Sequence, residues 1–441
     1  MLLPHAFMKS ALSFLIAARR SEIAGLQRLA LTSELVGAIG RLVHALQRER
    51  GLSNLYLGSQ GQHWAAERLA QVAQSQALQA DVERAFDQLD TDAALSGHRT
   101  RLFGRIAYAL QGLSALPRLR ERVGQRQWGT ERTVAAYARL IQALLAVVFE
   151  AADSAWDPDI SRHLVAFLNF LQGKEFAGQE RATGSALFAA GRMDTDSQQR
   201  LLHFIESQER CLQVCTDLAS PAIRQLWVEA QRPEHLMPLE RMRRILCTTP
   251  PGGVLDAGHS QAWFDACSRH IDAMKQLEDA LAAELQGLCS QRLEATALEL
   301  AALERMAGGL GAGRPTDTGA ATLTSDGPDF FDDTRAPALP AGIGHAGNGF
   351  GVPMEQSILE LVRDQARRLQ SMGDELDTVR ASLNERKTVE RAKGLLMAHR
   401  QLSEEQAHKT MRQMAMNQNK RLIDVAEAVL AMADVLPVRG R

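Results

Sequence analysis

Across residues 21–306 the apolar side chains return at spacings of three and four, with hardly any alternation of period two. Only a helix brings residues at those spacings onto one face, so this stretch is predicted to fold as amphipathic helices. Ile39, Leu42, Val43 and Leu46 set the pattern, and it recurs near 102–116, 134–149, 160–171, 201–212 and 271–288. Short polar or proline-containing breaks separate the stripes, as at Asp157-Pro158 and Thr249-Pro250-Pro251-Gly252-Gly253. Helices joined this way bury their stripes against one another in a large bundle or two stacked ones. Composition agrees, since aromatics make up only 5% and the chain is rich in Ala, Leu, Gln, Glu and Arg, which lose little freedom in a helix. The fold class expected is all-α.

With 441 residues, 45% of them hydrophobic, the chain has material for two or three domains. The formal net charge of −2 gives the molecule no overall field toward nucleic acid or membrane, so any such attraction must be local. Cys211, Cys215, Cys247, Cys267 and Cys289 lack the spacing of a zinc or cluster site and read as reduced packing residues. No Walker loop, HExxH or GxGxxG after a strand is present, so neither an enzyme nor a cofactor or metal is expected. No apolar run is read as reaching the ~18–20 residues that cross a bilayer. Residues 2–18 read as part of a helix because Pro4, His5 and Lys9 interrupt them. A cytoplasmic location, with no membrane partner, follows from that reading.

The character changes over 307–353, where Gly, Ala, Pro, Thr and Asp replace the helical period, and a flexible linker is expected there. Beyond it, Ile358, Val362, Gln365, Leu369, Met372, Leu376, Val379 and Leu383 alternate in steps of four and three. That is the seam of a coiled coil over 354–383, read as a parallel homodimer, with an amphipathic helix packed on its own domain as the other reading. The helix runs on through Arg391-Ala392-Lys393-Gly394-Leu395-Leu396-Met397. Ser403 with Gln406 opens a second helix as a capping box, and Leu422, Val425, Ala426 and Val429 line a third. A small three-helix domain is thus expected at 384–435.

Two charged motifs interrupt the apolar stripes. In Arg48-Glu49-Arg50-Gly51, Arg50 falls four residues after Leu46 and seven after Val43, at a position that faces a core. Ile160, Phe167, Lys174 and Arg181 are each seven apart, so two cations prolong an apolar line, and Gly178 between them would let a backbone or a small ligand approach. Buried cations need partners, and spacing alone fits structural salt bridges as well as a ligand site.

Arg-Glu-Arg-Gly-Leu-Ser at 48–53, followed by Lys-Glu-x-Ala-Gly-x-Glu-Arg-Ala at 174–182, resembles the nitrate- and nitrite-sensing NIT family, across roughly 35–290. The resemblance implies a large helical-bundle sensor over 21–306 that holds nitrate or nitrite between helices through arginines. Carried over by motif, Arg50 and Arg181 are the expected ligands, with Arg48 beside them and Arg241 on a later helix. Nitrate is planar with three acceptor oxygens, and guanidinium is a planar fork of donors that keeps its charge.

The stretch Glu390-Arg391-Ala392-Lys393-Gly394-Leu395-Leu396-Met397, with Leu402-Ser403-Glu404-Glu405-Gln406-Ala407 and Leu422-Ile423-Asp424-Val425-Ala426, resembles the ANTAR RNA-binding family. His408 departs from it, where the family often places an aromatic. That resemblance implies a transcription antiterminator gripping hairpins in leader mRNA, and so acting on RNA polymerase indirectly. Arg386, Lys387, Arg391, Lys393, Lys409, Arg412, Lys420 and Arg421 are the candidate RNA contacts. No Phe, Tyr or Trp follows Phe350, so recognition would rest on phosphates and hairpin shape. Together the two resemblances imply nitrate-responsive antitermination of nitrate-assimilation genes; the alternative is a helical anion sensor that signals through coiled-coil protein contacts.

Overall fold

A computed structural model describes residues 11–89, 97–312, 352–400, 402, 404–418 and 420–433. Among them run twelve α-helices and no strand, only an isolated bridge between Arg192 and Val254. The helices are α1 (Ala11–Gly58), α2 (Ala65–Asp87), α3 (Gly97–Gly124), α4 (Thr130–Ser154), α5 (Pro158–Ala190) and α6 (Thr195–Leu218). They continue with α7 (Pro221–Ala230), α8 (Pro233–Thr248), α9 (His259–Ala312), α10 (Val352–Arg400), α11 (Glu404–Gln418) and α12 (Leu422–Ala433).

The breaks in the apolar pattern are the helix ends. Asp157 caps α5, its carboxylate accepting from the Ile160 amide at 3.0 Å, and Pro158 sits at the first helical position, where a missing N–H costs nothing. Gly191 ends the same helix with φ +67°, a left-handed conformation that glycine adopts without strain. Asp194 and Ser220 cap α6 and α7 in the same manner.

The chain divides into two compact units. One combines Met1–Leu29 with Cys289–Glu375, and within it Arg19 and Arg368 each reach Glu22 and Glu299, while Arg20 reaches Glu304. The other combines Ala30–Leu288 with Leu376–Arg441 and holds both charged motifs and the small C-terminal domain. In this second unit α3 packs on α4, α4 on α5, and α5 along α6. Leu187, Phe188, Leu201, Leu239, Met242, Leu246 and Trp263 form one core among α5, α6, α8 and α9. Ala392, Leu396, Ala407, Met411, Val425, Ala426 and Val429 form the core of the C-terminal domain, as the sequence pattern predicted.

Three expectations need adjustment. The helical pattern was expected to end at 306, but α9 reaches Ala312 and α10 already begins at Val352; the rest of the expected linker, with Phe330-Phe331, lies outside the described residues, as does Ser403 of the expected capping box. Helices α1 and α4 do each contain an 18-residue window long and apolar enough to cross a membrane, and both windows are mostly buried inside the protein. Of the expected coiled-coil seam, Leu376, Val379 and Leu383 are buried within the single chain, whereas Leu369 is 59% exposed. The lower part of the seam is therefore covered within the single chain, but beside the N-terminal bundle, where Arg380 reaches the Ala155 carbonyl and Lys387 reaches Asp153, and not within its own domain; the side chains of Ile358, Val362 and Gln365 lie outside the described residues.

Candidate anion site and nucleic-acid interface

The register that points Arg50 inward on α1 points Lys174 and Arg181 inward on α5, and the buried face of α9 meets both helices. Each cation is buried, and Glu175, Glu278 and Glu49 beside them are already paired. Arg50 forms a two-pronged pair with Glu175, Nη1 to Oε1 at 2.5 Å and Nη2 to Oε2 at 3.2 Å, and Gln47 adds a bond to the same carboxylate at 2.9 Å. Lys174 pairs with Glu278 of α9, where burial pulls its pKa down against the attraction of that carboxylate. Glu49, facing away from Arg50, takes both prongs of Arg120 at 2.8 and 3.0 Å and the Tyr137 hydroxyl at 2.7 Å.

Arg181 is different. Its Nη1 donates to the Ser268 hydroxyl at 3.0 Å and its Nη2 to the Gln47 carbonyl at 3.4 Å, and its guanidinium lies 4.9 Å from the centre of the Phe264 ring. Among the described residues no carboxylate comes within ion-pair distance of it. Burial pulls its pKa down to about 10 and the charge on Arg50 pushes the same way, against opposing effects of Cys267, Asp272 and Glu175 that are smaller than that of burial. An interior cation with no carboxylate paired to it carries a desolvation cost that a bound anion would offset.

Glycine makes the site compact. A Cβ on Gly178 would lie 2.5 Å from Nη2 of Arg50, and one on Gly51 would lie 2.9 Å from Nη2 of Arg181. What Gly178 admits is thus the guanidinium of a neighbouring helix. Gly184 does the same for the Trp263 indole, whose Nε1 donates to the Arg181 carbonyl at 2.9 Å.

The other two sequence candidates lie elsewhere. Arg48 is two residues from Arg50, so it sits on the opposite side of α1 and is exposed. Arg241 is also exposed; on α8 it is Arg243 that turns inward, Nε and Nη2 both 2.7 Å from Glu180, the residue before Arg181. The buried stripe of α8 is Leu239, Met242 and Leu246, and Arg243 stands four residues after Leu239. Burial opposes the charge on Arg243, but Glu180 and Glu240 outweigh it and hold the guanidinium above its usual pKa. Sequence reasoning passed over Glu278 as well, although Phe264, Ile271 and Glu278 are seven apart and repeat the signal that singled out Lys174 and Arg181.

The candidate RNA contacts fall into three groups. Four touch helices of the N-terminal bundle: Arg386 reaches Gln172, Lys387 reaches Asp153 at 2.5 Å, Lys409 reaches Gln199 at 2.9 Å and Arg412 reaches Glu206. Lys393 pairs with Glu390 at 2.7 Å and Arg421 with Asp424 at 3.1 Å, both within the C-terminal domain. Arg391 and Lys420 are exposed. His408, where the sequence departs from the family pattern, lies 5.2 Å from His203 of α6, ring centre to ring centre. Burial and then His203 hold its pKa down at about 4.

A helical bundle with buried cations at its centre, followed by a small basic helical domain, defines a ligand sensor with a helical output module. Residues 41–286 match the family model for nitrate and nitrite sensing, and residues 377–430 match that of the ANTAR domain. The chain belongs to the nitrate- and nitrite-sensing NIT family and carries an ANTAR domain at its C-terminal end. It is 32% identical over 418 residues to the nitrate regulatory protein of Klebsiella oxytoca, covering 94% of this chain and 93% of that one. It also superposes on the solved structure of the NasR transcription antiterminator with a TM-score of 0.59 at 31% identity, over 96% of this chain and 99% of that chain.

Proposed function

We propose that nitrate or nitrite enters this protein as the counter-ion that Arg181 lacks, and that its arrival frees the basic face of the ANTAR domain to grip hairpins in leader mRNA. Its two families make the chain a nitrate-responsive regulator of transcription antitermination. Neither family is enzymatic, and the protein acts by binding alone. The observation that carries the ligand half is a buried guanidinium whose hydrogen-bond partners are a hydroxyl and a carbonyl rather than a carboxylate. A planar oxyanion in this place would accept from Arg181 and Ser268 and lower the repulsion between Arg181 and Arg50. It would also compete with Glu175 for Arg50, which gives the anion a differential hold on two helix arrangements.

The output half rests on occupancy. Arg386, Lys387, Lys409 and Arg412 are already engaged by sensor residues, so RNA phosphates would have to displace Asp153 and Glu206 to reach two of them. This favours occlusion over an aligning role for the sensor. The functional form is then a cytoplasmic homodimer whose two freed faces hold a pair of hairpins and let polymerase read through a terminator.

Two variants of the full chain test this. Arg181→Ala removes a charged hydrogen-bond donor worth about 1.5–3 kcal/mol, so nitrate affinity by calorimetry should fall at least tenfold. Asp153→Lys combined with Glu206→Lys should retain hairpin RNA on a filter without nitrate. RNA binding that still requires nitrate in the double variant would defeat occlusion and leave the ligand site standing.

A further inference from the structure

On the face of α1 turned away from Arg50 lies a second cationic feature that the function above does not use. Arg41, His44 and Arg48 fall three, four and seven residues apart and so line one side of the helix. With Gln71 and Gln74 of α2 and Lys275 of α9 they surround a cleft of about 170 Å³, roughly ten times the room a single water needs. No carboxylate lines it. Lys275 is held by Glu278 and Asp279, but Arg41 and Arg48 have no hydrogen bond or ion pair among the described residues. His44 is one of the lining residues, and its Nδ1 is buried without a hydrogen-bond partner. Gln71 is fixed there by its bond to the Ala45 carbonyl, 3.3 Å.

We propose that this cleft is a second anion site, separate from the Arg50–Arg181 cluster, and that it takes a compact oxyanion carrying two or more negative charges. The argument is one of charge and size. Two unpaired guanidiniums and one shared ammonium call for more than the single charge of nitrate, and the cleft has room for more than nitrate's four atoms. Two guanidinium forks suit the paired oxygens of a phosphoryl or carboxylate group, and the glutamine amides can serve a neutral part of the same molecule. The orphaned His44 nitrogen gives the ligand a buried hydrogen-bonding partner. The local field agrees: burial first, then Lys174, Lys275, Arg48 and Arg181, hold the His44 pKa down at about 3.

The test titrates the full-length protein by calorimetry with inorganic phosphate, pyrophosphate and succinate at fixed ionic strength, against chloride. At least one of the three should bind tenfold or more tightly than chloride, and the strongest tells a phosphoryl ligand from a dicarboxylate. Arg41→Glu should weaken that binding at least tenfold and leave nitrate affinity unchanged, and Arg48→Gln should weaken it too. Both positions are exposed, so both variants should fold. The proposal is overturned if none of the three anions binds more tightly than chloride, or if both variants keep the binding. Loss of nitrate binding in Arg41→Glu would also overturn it, because the cleft would then belong to the nitrate site.

Discussion

Arg50 and Arg181 are both buried arginines of the same interior, yet substituting them should have opposite consequences. Arg50→Met would strand Glu175, a buried carboxylate, with only glutamine donors. Leaving one member of a buried pair alone costs about 3–5 kcal/mol, so this variant should melt far below the parent. Arg181→Met strands no carboxylate and removes a desolvated charge, so its melting temperature should stay level or rise while nitrate no longer stabilises the protein. Thermal scans of both variants with and without nitrate would check this; a large loss of stability in Arg181→Met would mean the guanidinium has a counter-charge after all. At this scale the sequence was legible where register decides. Position in the stripe of α1 was enough to place Arg50 inside. It did not separate Arg241 from Arg243, because the two differ by 200° of helix rotation and the buried edge of α8 follows Leu246 rather than Ile245.

Helix α10 shows what periodicity can and cannot tell. The heptad spacing correctly marks Leu376, Val379 and Leu383 as residues that leave solvent. It does not say which surface covers them, since a partner chain and the same chain's own bundle demand the same spacing. Leu383→Ala should therefore cost about 2–5 kcal/mol of folding stability in urea unfolding even where the protein is monomeric. The docked ANTAR helices carry a second consequence through His408. Its pKa is about 4 in place of the usual 6.5, lowered by burial and by His203, with Lys393, Arg210 and Arg412 adding to the same effect. Between those two values the undocked domain takes up more protons than the docked one, so docking is strongest above pH 6.5 and weakens as pH falls toward 4. Nitrate-free RNA retention should rise between pH 7.5 and 5.5, and His408→Phe should flatten that rise. A pH profile identical in the two proteins would show that His408 does not titrate on release.

For the molecule as a whole, the prediction is one of reciprocity. If nitrate favours the arrangement that binds RNA, a hairpin must raise nitrate affinity by the same factor that nitrate raises hairpin affinity. Couplings of this kind are commonly about 1–3 kcal/mol, roughly 5- to 150-fold. Calorimetric titration of nitrate with and without saturating hairpin measures it directly, and equal affinities would remove any link between the two ends.

The pairs that hold the output domain also make the resting protein an ion exchanger. When a free basic surface binds RNA, each phosphate it contacts gives up condensed cations to solution, and affinity falls with added salt by a slope of roughly 0.7–0.9 per phosphate contacted. Lys387 and Arg412 begin paired with Asp153 and Glu206, so on meeting RNA they trade one anion for another inside the complex. The two freed carboxylates then recruit cations from solution as the RNA gives them up. Hairpin binding by the nitrate-free protein should accordingly respond less steeply to salt than binding by the Asp153→Lys, Glu206→Lys variant, by about two contacts' worth of slope. A resting regulator built this way stays quiet across the swings of ionic strength that would switch a purely electrostatic one.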